Sequence, residues 1–358
     1  MAVGAYSPKK NNSIMKKLLS ILIISLAFAS CSNDVEVEQP NGDDSEIVFS
    51  DMSTKVAIEN AADMETFGVS VKMNTGDEDT PEANVYVTLL ENERVYRDAS
   101  DNWTYDRTRY WVYDRTFHFF AVHPHLEGVD VVRNVTFTEG ANQYDGFEVN
   151  FKIPTYADTD LMIAHKTESP EQGYPYPESV AFDFSHILSK INIKVSKDAE
   201  NAGNKVIVDQ VIIDGIKDSG TYRTSREAGY TDNWTIASDA ASTVFFPTCN
   251  LVPLGVGDAA SVVLENGLMV IPQPIEDGAI RLTIQYDYYN ENGTFAYSKQ
   301  VNAVLPNTVV AEWEAGKSYV YNVKLDAESN NIEFLQPEIP EGWKWGDGTQ
   351  IGGSIVIQ

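Results

Sequence analysis

Alternation with a period of two runs through this chain and restricts what it can fold into more than any other feature. Phe67, Val69, Val71 and Met73 are separated by Gly68, Ser70 and Lys72, the pattern of a strand with one face buried. Ile191, Ile193 and Val195 alternate with Asn192 and Lys194, and the same rhythm returns from Ile280 to Tyr286 and from Tyr319 to Leu325. Turn-forming clusters such as Asp218-Ser219-Gly220 and Asn290-Glu291-Asn292-Gly293 separate such runs. No sustained helical spacing is present after Glu46, and one short helical turn is predicted near Asp158 to Ala164. The expected class is all-β, with β-sandwich domains and few short helices.

A chain of 358 residues has the length of about two such domains. A stretch rich in Pro, Gly and Tyr, from Glu168 to Pro177, divides two strand-rich halves. The expected N-terminal sandwich spans 46–177 and the C-terminal one 178–325, with a strand-bearing tail at 326–358. With 43% hydrophobic residues the chain can bury a sizeable core. Leaving out the four lysines of the first 30 residues takes the net charge from −27 to −31. Such a surface repels phosphate backbones, which excludes nucleic acid as a partner. Only two cysteines occur, Cys31 and Cys249. If Cys31 is modified, no intramolecular disulfide can form, and packing alone must hold the core.

Cys31 closes a distinct segment. Lys16-Lys17 precede an apolar run from Leu18 to Phe28 and the small residues Ala29-Ser30. That is the layout of an export signal, and its apolar part is too short to span a bilayer. Met15 reads as the start, residues 1–14 as an upstream extension, and 1–30 as extension plus signal peptide. A signal ending directly on a cysteine resembles a bacterial lipobox, although Phe28 stands where such a signal usually has Leu. The resemblance implies lipidation of Cys31 and, with two or more acyl chains, stable anchoring. Residues 31–45 form an acidic linker. Its first part, Ser32 to Glu38, resembles the surface-export signal of Bacteroidales lipoproteins.

No catalytic constellation emerges. The five histidines are His118, His123, His125, His165 and His186. His118 and the His123-Pro124-His125 triplet do not offer the i, i+4 spacing of a helical zinc site, and all five read as structural or surface residues. The sequence holds no Gly-x-Ser-x-Gly elbow, phosphate loop or paired-cysteine motif. Cys249 follows Phe245-Phe246-Pro247 without an identifiable base and reads as buried or idle. Asp77-Glu78-Asp79, and Asp287 with Glu291, lack calcium-loop spacing and read as solvated loops. No cofactor, no metal and no enzymatic activity are expected. Trp103, Trp111 and Trp313 lie in strand-edge patterns that suit core packing.

Several segments together resemble the fimbrillin family of Bacteroidales. They are Trp103-Thr104-Tyr105, Tyr110-Trp111 and His118 to Pro124; then Asp160 to Ala164 and Val180 to Ile193; then Gly267 to Gln273 and Trp313 to Tyr321. Ile332-Glu333-Phe334 and Trp343 follow, and Ile47-Val48-Phe49, Thr54-Lys55 and Phe67-Gly68-Val69 resemble the family's amino-terminal stretch. The resemblance covers nearly the whole mature chain. It implies two transthyretin-like β-sandwich domains, export as an outer-membrane lipoprotein precursor, and assembly with other subunits into a cell-surface fimbrium. It also implies proteolytic removal of an amino-terminal strand, commonly after Arg; here the matching position holds Lys55.

The residues add a pattern of their own. Glu46-Ile47-Val48-Phe49-Ser50 and Ser354-Ile355-Val356-Ile357-Gln358 both read polar, three apolar, polar. In each, the outer apolar pair shares one face of a strand. Ile47, Val48 and Phe49 are thus the candidate displaced strand, residues 46–55 the removable segment, and Ile355, Val356 and Ile357 the candidate donor strand. An ordinary edge strand at each end accounts for the same pattern. The leading expectation is a fimbrial subunit polymerised by donor-strand exchange. The rival is a monomeric surface lipoprotein or tip adhesin that binds host or bacterial glycans or proteins, with Trp343 and Trp345 as its candidate glycan contacts.

Overall fold

Strands supply all the regular structure, and no helix occurs among the described residues. The computed structural model describes residues 46–50, 53–54, 64–76, 86–125, 133–140, 143–153, 160–198, 203–225, 233–237, 242–245, 247, 249, 251–256, 260–264, 267–308, 310–326 and 331–335. Strands are numbered in chain order. The largest sheet has seven, in the spatial order β1 (Ser53–Thr54), β9 (Asp183–His186), β8 (Met162–Glu168), β5 (Phe117–His123), β2 (Thr66–Asn74), β3 (Tyr86–Arg97) and β4 (Trp103–Tyr105). Its pairings are antiparallel except that of β1 with β9.

Two expectations change here. The helical turn foreseen near Asp158 to Ala164 is not formed where the chain is described. Met162, Ile163 and Ala164 open β8 instead, paired with His123, Val122 and Ala121 of β5. All three side chains are buried, so tertiary pairing decides the conformation over local tendency. β2 was expected to bury one face, yet Ser70 and Lys72 are buried along with Phe67, Val69 and Val71. β3 and β5 pair both of its backbone edges, and on the face of Ser70 its Oγ accepts a hydrogen bond from the Asn92 amide at 2.9 Å.

A second sheet runs β13 (Asn233–Ile236), β12 (Ser219–Ser225), β7 (Gln143–Lys152) and β6 (Arg133–Gly140). A third runs β14 (Ser242–Phe245), β11 (Lys205–Lys217), β18 (Arg281–Tyr289) and β19 (Phe295–Val304). The Asn290-to-Gly293 cluster turns β18 into β19, with the Gly293 amide on the Asn290 carbonyl. In the fourth, β10 (Ser189–Lys197) pairs antiparallel with β15 (Ser261–Val262) and β16 (Leu268–Val270), and parallel with β21 (Ser318–Asp326). β22 (Asn331–Phe334) extends it beyond β21. A two-stranded ribbon joins β17 (Gln273–Pro274) to β20 (Glu312–Trp313).

The apolar side chains form two cores. Phe67, Trp111, Phe117, Phe119, Phe182 and their neighbours make the first, and a larger set centred on β10, β11, β18 and β21 makes the second. β5 serves both, because successive side chains leave a strand on opposite faces. Phe117, Phe119 and Ala121 enter the first core while Phe120 and Val122 enter the second. Phe120 there stacks on Phe147 of β7 at 4.5 Å. Phe147, Val149, Phe151 and Ile153 belong to the second core, whereas Val180, Phe182 and Phe184 belong to the first.

Candidate functional site

A short segment fills a furrow in the first core. Ile47 and Phe49 are 0% and 5% exposed, while Val48 between them is 37% exposed, as a strand with one buried face requires. One backbone edge of the segment meets Arg109 and Tyr110. The Ile47 amide donates to the Arg109 carbonyl at 2.8 Å, and Glu46 bridges Tyr110 antiparallel. Its other edge meets Val180, whose amide donates to the Val48 carbonyl at 2.8 Å and whose carbonyl accepts from the Ser50 amide at 3.2 Å. Further along, Ser53 and Thr54 pair in parallel with Asp183 and Phe184.

Aromatic rings line the furrow. The Phe49 ring lies 5.9 Å from Phe67, 5.4 Å from Tyr105 and 5.8 Å from Phe182, centre to centre. Phe67 in turn meets Trp103 at 5.1 Å and Phe184 at 5.8 Å. Edge-to-face and stacked contacts of this kind add to the burial itself. Burying Ile47 and Phe49 contributes roughly 1.5–3 kcal/mol each. The hydrogen bonds around them contribute about 0.5–1.5 kcal/mol each. The two side chains and the hydrogen bonds around them thus contribute comparably.

Tyr105 closes one end of the furrow. Its hydroxyl donates to the Ile47 carbonyl at 2.8 Å and accepts from the Arg109 amide at 3.0 Å. Burial pushes the phenol up to about 12, so it remains a proton donor near neutral pH. The Arg109 side chain is fixed nearby by Nε donating to the Leu89 carbonyl at 2.8 Å. This hydroxyl role was not read from the sequence, where Tyr105 stood out only as part of the Trp103-to-Tyr105 motif. The other residues singled out as sites, Cys31, Lys55, Trp343, Trp345, Ile355, Val356 and Ile357, lie outside the described residues.

His186 Nδ1 lies 2.6 Å from the Asp160 carboxylate. His123 Nδ1 donates to the Thr66 carbonyl at 2.8 Å, and burial lowers the proton affinity of this ring. His125 Nε2 is 3.2 Å from the Asn92 carbonyl, His118 is buried, and His165 is exposed. Burial pushes the Cys249 thiol up, away from the reactive thiolate. Among the described residues no three His, Cys, Asp or Glu side chains are grouped to hold a metal ion. Trp111 and Trp313 are fully buried and Trp103 nearly so.

The fimbrillin-like family profile matches residues 54–343. The chain is similar in structure to a fimbrial protein from Bacteroides vulgatus, at 20% identity and a TM-score of 0.60, over 84% of this chain and 99% of the other. It is also similar to the fimbrial anchor protein Mfa2 from Porphyromonas gingivalis, at 12% identity and a TM-score of 0.34, over 82% and 96% of the two chains. No curated protein matches significantly. With its profile matched over most of its length and an all-β fold shared with a fimbrial protein, the chain belongs to the fimbrillin-like family, a structural, non-enzymatic family of the cell surface.

Proposed function

We propose that this fimbrial subunit reaches the surface as a lipoprotein acylated at Cys31, is cut after Lys55 so that the strand at 46–55 leaves with everything before it, and polymerises when a neighbour's strand refills the furrow. The observation that carries the reading is the seat of Ile47 and Phe49, two buried side chains on a segment with few main-chain bonds. Vacating it would leave an apolar furrow beside the main-chain groups of Val180 and Arg109, an edge that invites another strand. Ile355 and Ile357 share the spacing of Ile47 and Phe49, which makes residues 355–357 the candidate donor. The division into sandwiches at 46–177 and 178–325 belongs to the same reading, with two exchanges across the boundary: Phe147, Val149, Phe151 and Ile153 join the second core and Val180, Phe182 and Phe184 the first, while β5 and β8 form the wall common to both.

Amino-terminal sequencing of the protein released from cells tests the processing. A start at Val56 supports it, and a blocked cysteine refutes it. Deleting residues 353–358 is expected to abolish SDS-resistant polymers; normal ladders from that variant would end the proposal that this end donates. Lys55→Ala is expected to leave a longer, lipid-anchored monomer, and unchanged processing would place the cut elsewhere. The glycan-binding alternative gains nothing from Trp103, Trp111 or Trp313, whose rings are committed to the cores.

A further inference from the structure

We propose that Tyr105 is the residue that grips the furrow's occupant by its main chain, through a hydroxyl that replaces one rung of the β-ladder; this rests on the strand-replacement reading above. In an antiparallel ladder a hydrogen-bonded pair exchanges both its N–H···O bonds directly. Ile47 and Arg109 make one of the two, from the Ile47 amide to the Arg109 carbonyl at 2.8 Å. The return bond is relayed. The Arg109 amide donates to Tyr105 Oη at 3.0 Å, and that hydroxyl donates to the Ile47 carbonyl at 2.8 Å.

The relay has consequences that a direct rung would not. A hydroxyl turns about its C–O bond and both gives and takes a hydrogen bond, so it can follow a carbonyl that is slightly displaced. A fixed amide cannot. The bond falls on the main chain, which any occupant presents, so the grip is indifferent to side-chain identity. Register and selectivity are left to the apolar pair that fills the furrow. Tyr105 also forms part of the wall, with its ring 5.4 Å from that of Phe49. Once the furrow is empty, the Tyr105 hydroxyl loses its Ile47 acceptor and water takes that place, to be displaced again by the carbonyl of an incoming strand.

The test uses the full chain with a specific protease site inserted between Lys55 and Met64. After cutting, the release rate of the bound amino-terminal segment is followed by mass spectrometry of the separated body. Rebinding is followed with a labelled synthetic peptide covering residues 45–54. Tyr105→Phe is expected to speed release roughly tenfold, equivalent to about 1.4 kcal/mol. A peptide with a thioamide at the Ile47 carbonyl, a weaker acceptor, should bind worse on the unmodified body but show no added loss on the Tyr105→Phe body. An Ile47→Ala peptide should weaken by the same factor on both bodies. That cycle separates a direct bond from a general loss of stability. Equal thioamide losses on both bodies, or an unchanged release rate in Tyr105→Phe, would overturn the proposal. A 353–358 peptide that fails to bind, while the 45–54 peptide binds in a Tyr105-dependent way, supports the grip and removes that end as donor.

Discussion

Two parallel pairings in this molecule do opposite jobs. β10 and β21 run side by side through eight residue pairs, from Lys190 with Ser318 to Lys197 with Leu325. Among the described residues, the parallel pairs of the furrow segment are Ser53 with Asp183, Thr54 with Phe184, and the isolated bridge of Phe49 with Val180. Both bury apolar side chains completely: Ile193, Val195 and Tyr321 in one, Ile47 and Phe49 in the other. The difference lies in the backbone. A long ladder makes a strand part of the sheet's continuity, whereas a strand held by two knobs and isolated bonds is a filler. Side-chain burial alone would not tell the two apart.

The strongest test of that contrast is Phe49→Ala. Truncating a ring packed against Phe67, Tyr105 and Phe182 should cost about 3–5 kcal/mol. The loss should be local, read by hydrogen exchange as faster exchange of the Val180 amide, with the amides of 190–197 still protected. Equal loss of protection in β10 would mean that the two cores open as one unit. Ile193→Ala, in the long ladder, should cost about 2–5 kcal/mol. Here the loss should spread through the sheet, read as faster exchange in β16 and β21 as well as in β10, because β10 pairs with both. A loss confined to β10 would erase the distinction between filler and frame.

Much of the strand pattern could be read from side-chain spacing. Ile191 to Val195 and Tyr319 to Leu325 each fall within an observed strand, and the run from Ile280 to Tyr286 does so from Arg281 onward. The alternation of Ile47, Val48 and Phe49 likewise foretells which of them a half-buried strand would hide. What stayed hidden depends on partners far away in the chain. Nothing local in Ser70 or Lys72 announces a second covered face. Met162 to Ala164 become a strand only because β5 offers an edge. β7 lies before the Pro, Gly and Tyr break, yet it pairs with β12 and sends Phe147, Val149 and Phe151 into the second core. Tyr105 is the clearest case. Its hydroxyl role needs Ile47 and Arg109 on either side of it, an arrangement no spacing rule encodes.

A smaller effect tests how rigid the larger core is. Gly215 sits at a bulge in β11 with φ of +94°, and a Cβ there would meet the Ala279 carbonyl oxygen at 2.0 Å. Gly215→Ala should therefore destabilise by more than about 1 kcal/mol in thermal or denaturant unfolding. If stability is unchanged, that close approach relaxes easily and the frame is looser than its long ladders imply.

The smallest expected effect concerns acid and falls at the wall between the cores. Burial lowers the proton affinity of His123, and the bond to the Thr66 carbonyl and the charge of Asp160 offset this only in part, while His186 adds to it. An unfolded chain takes up this proton near its ordinary value of about 6.5, before the folded chain does. Stability is then complete above that pH and falls as the solution is acidified through it towards the lower folded value. His123→Gln should flatten the fall in unfolding midpoint between pH 7 and pH 5. Because β5 faces both cores, the flattening should appear in amides of β2 and β10 alike, unlike the local loss expected at Phe49. Identical pH profiles for the two proteins would assign the acid response to the carboxylates instead. The wall would then carry no titrating group that matters to its stability.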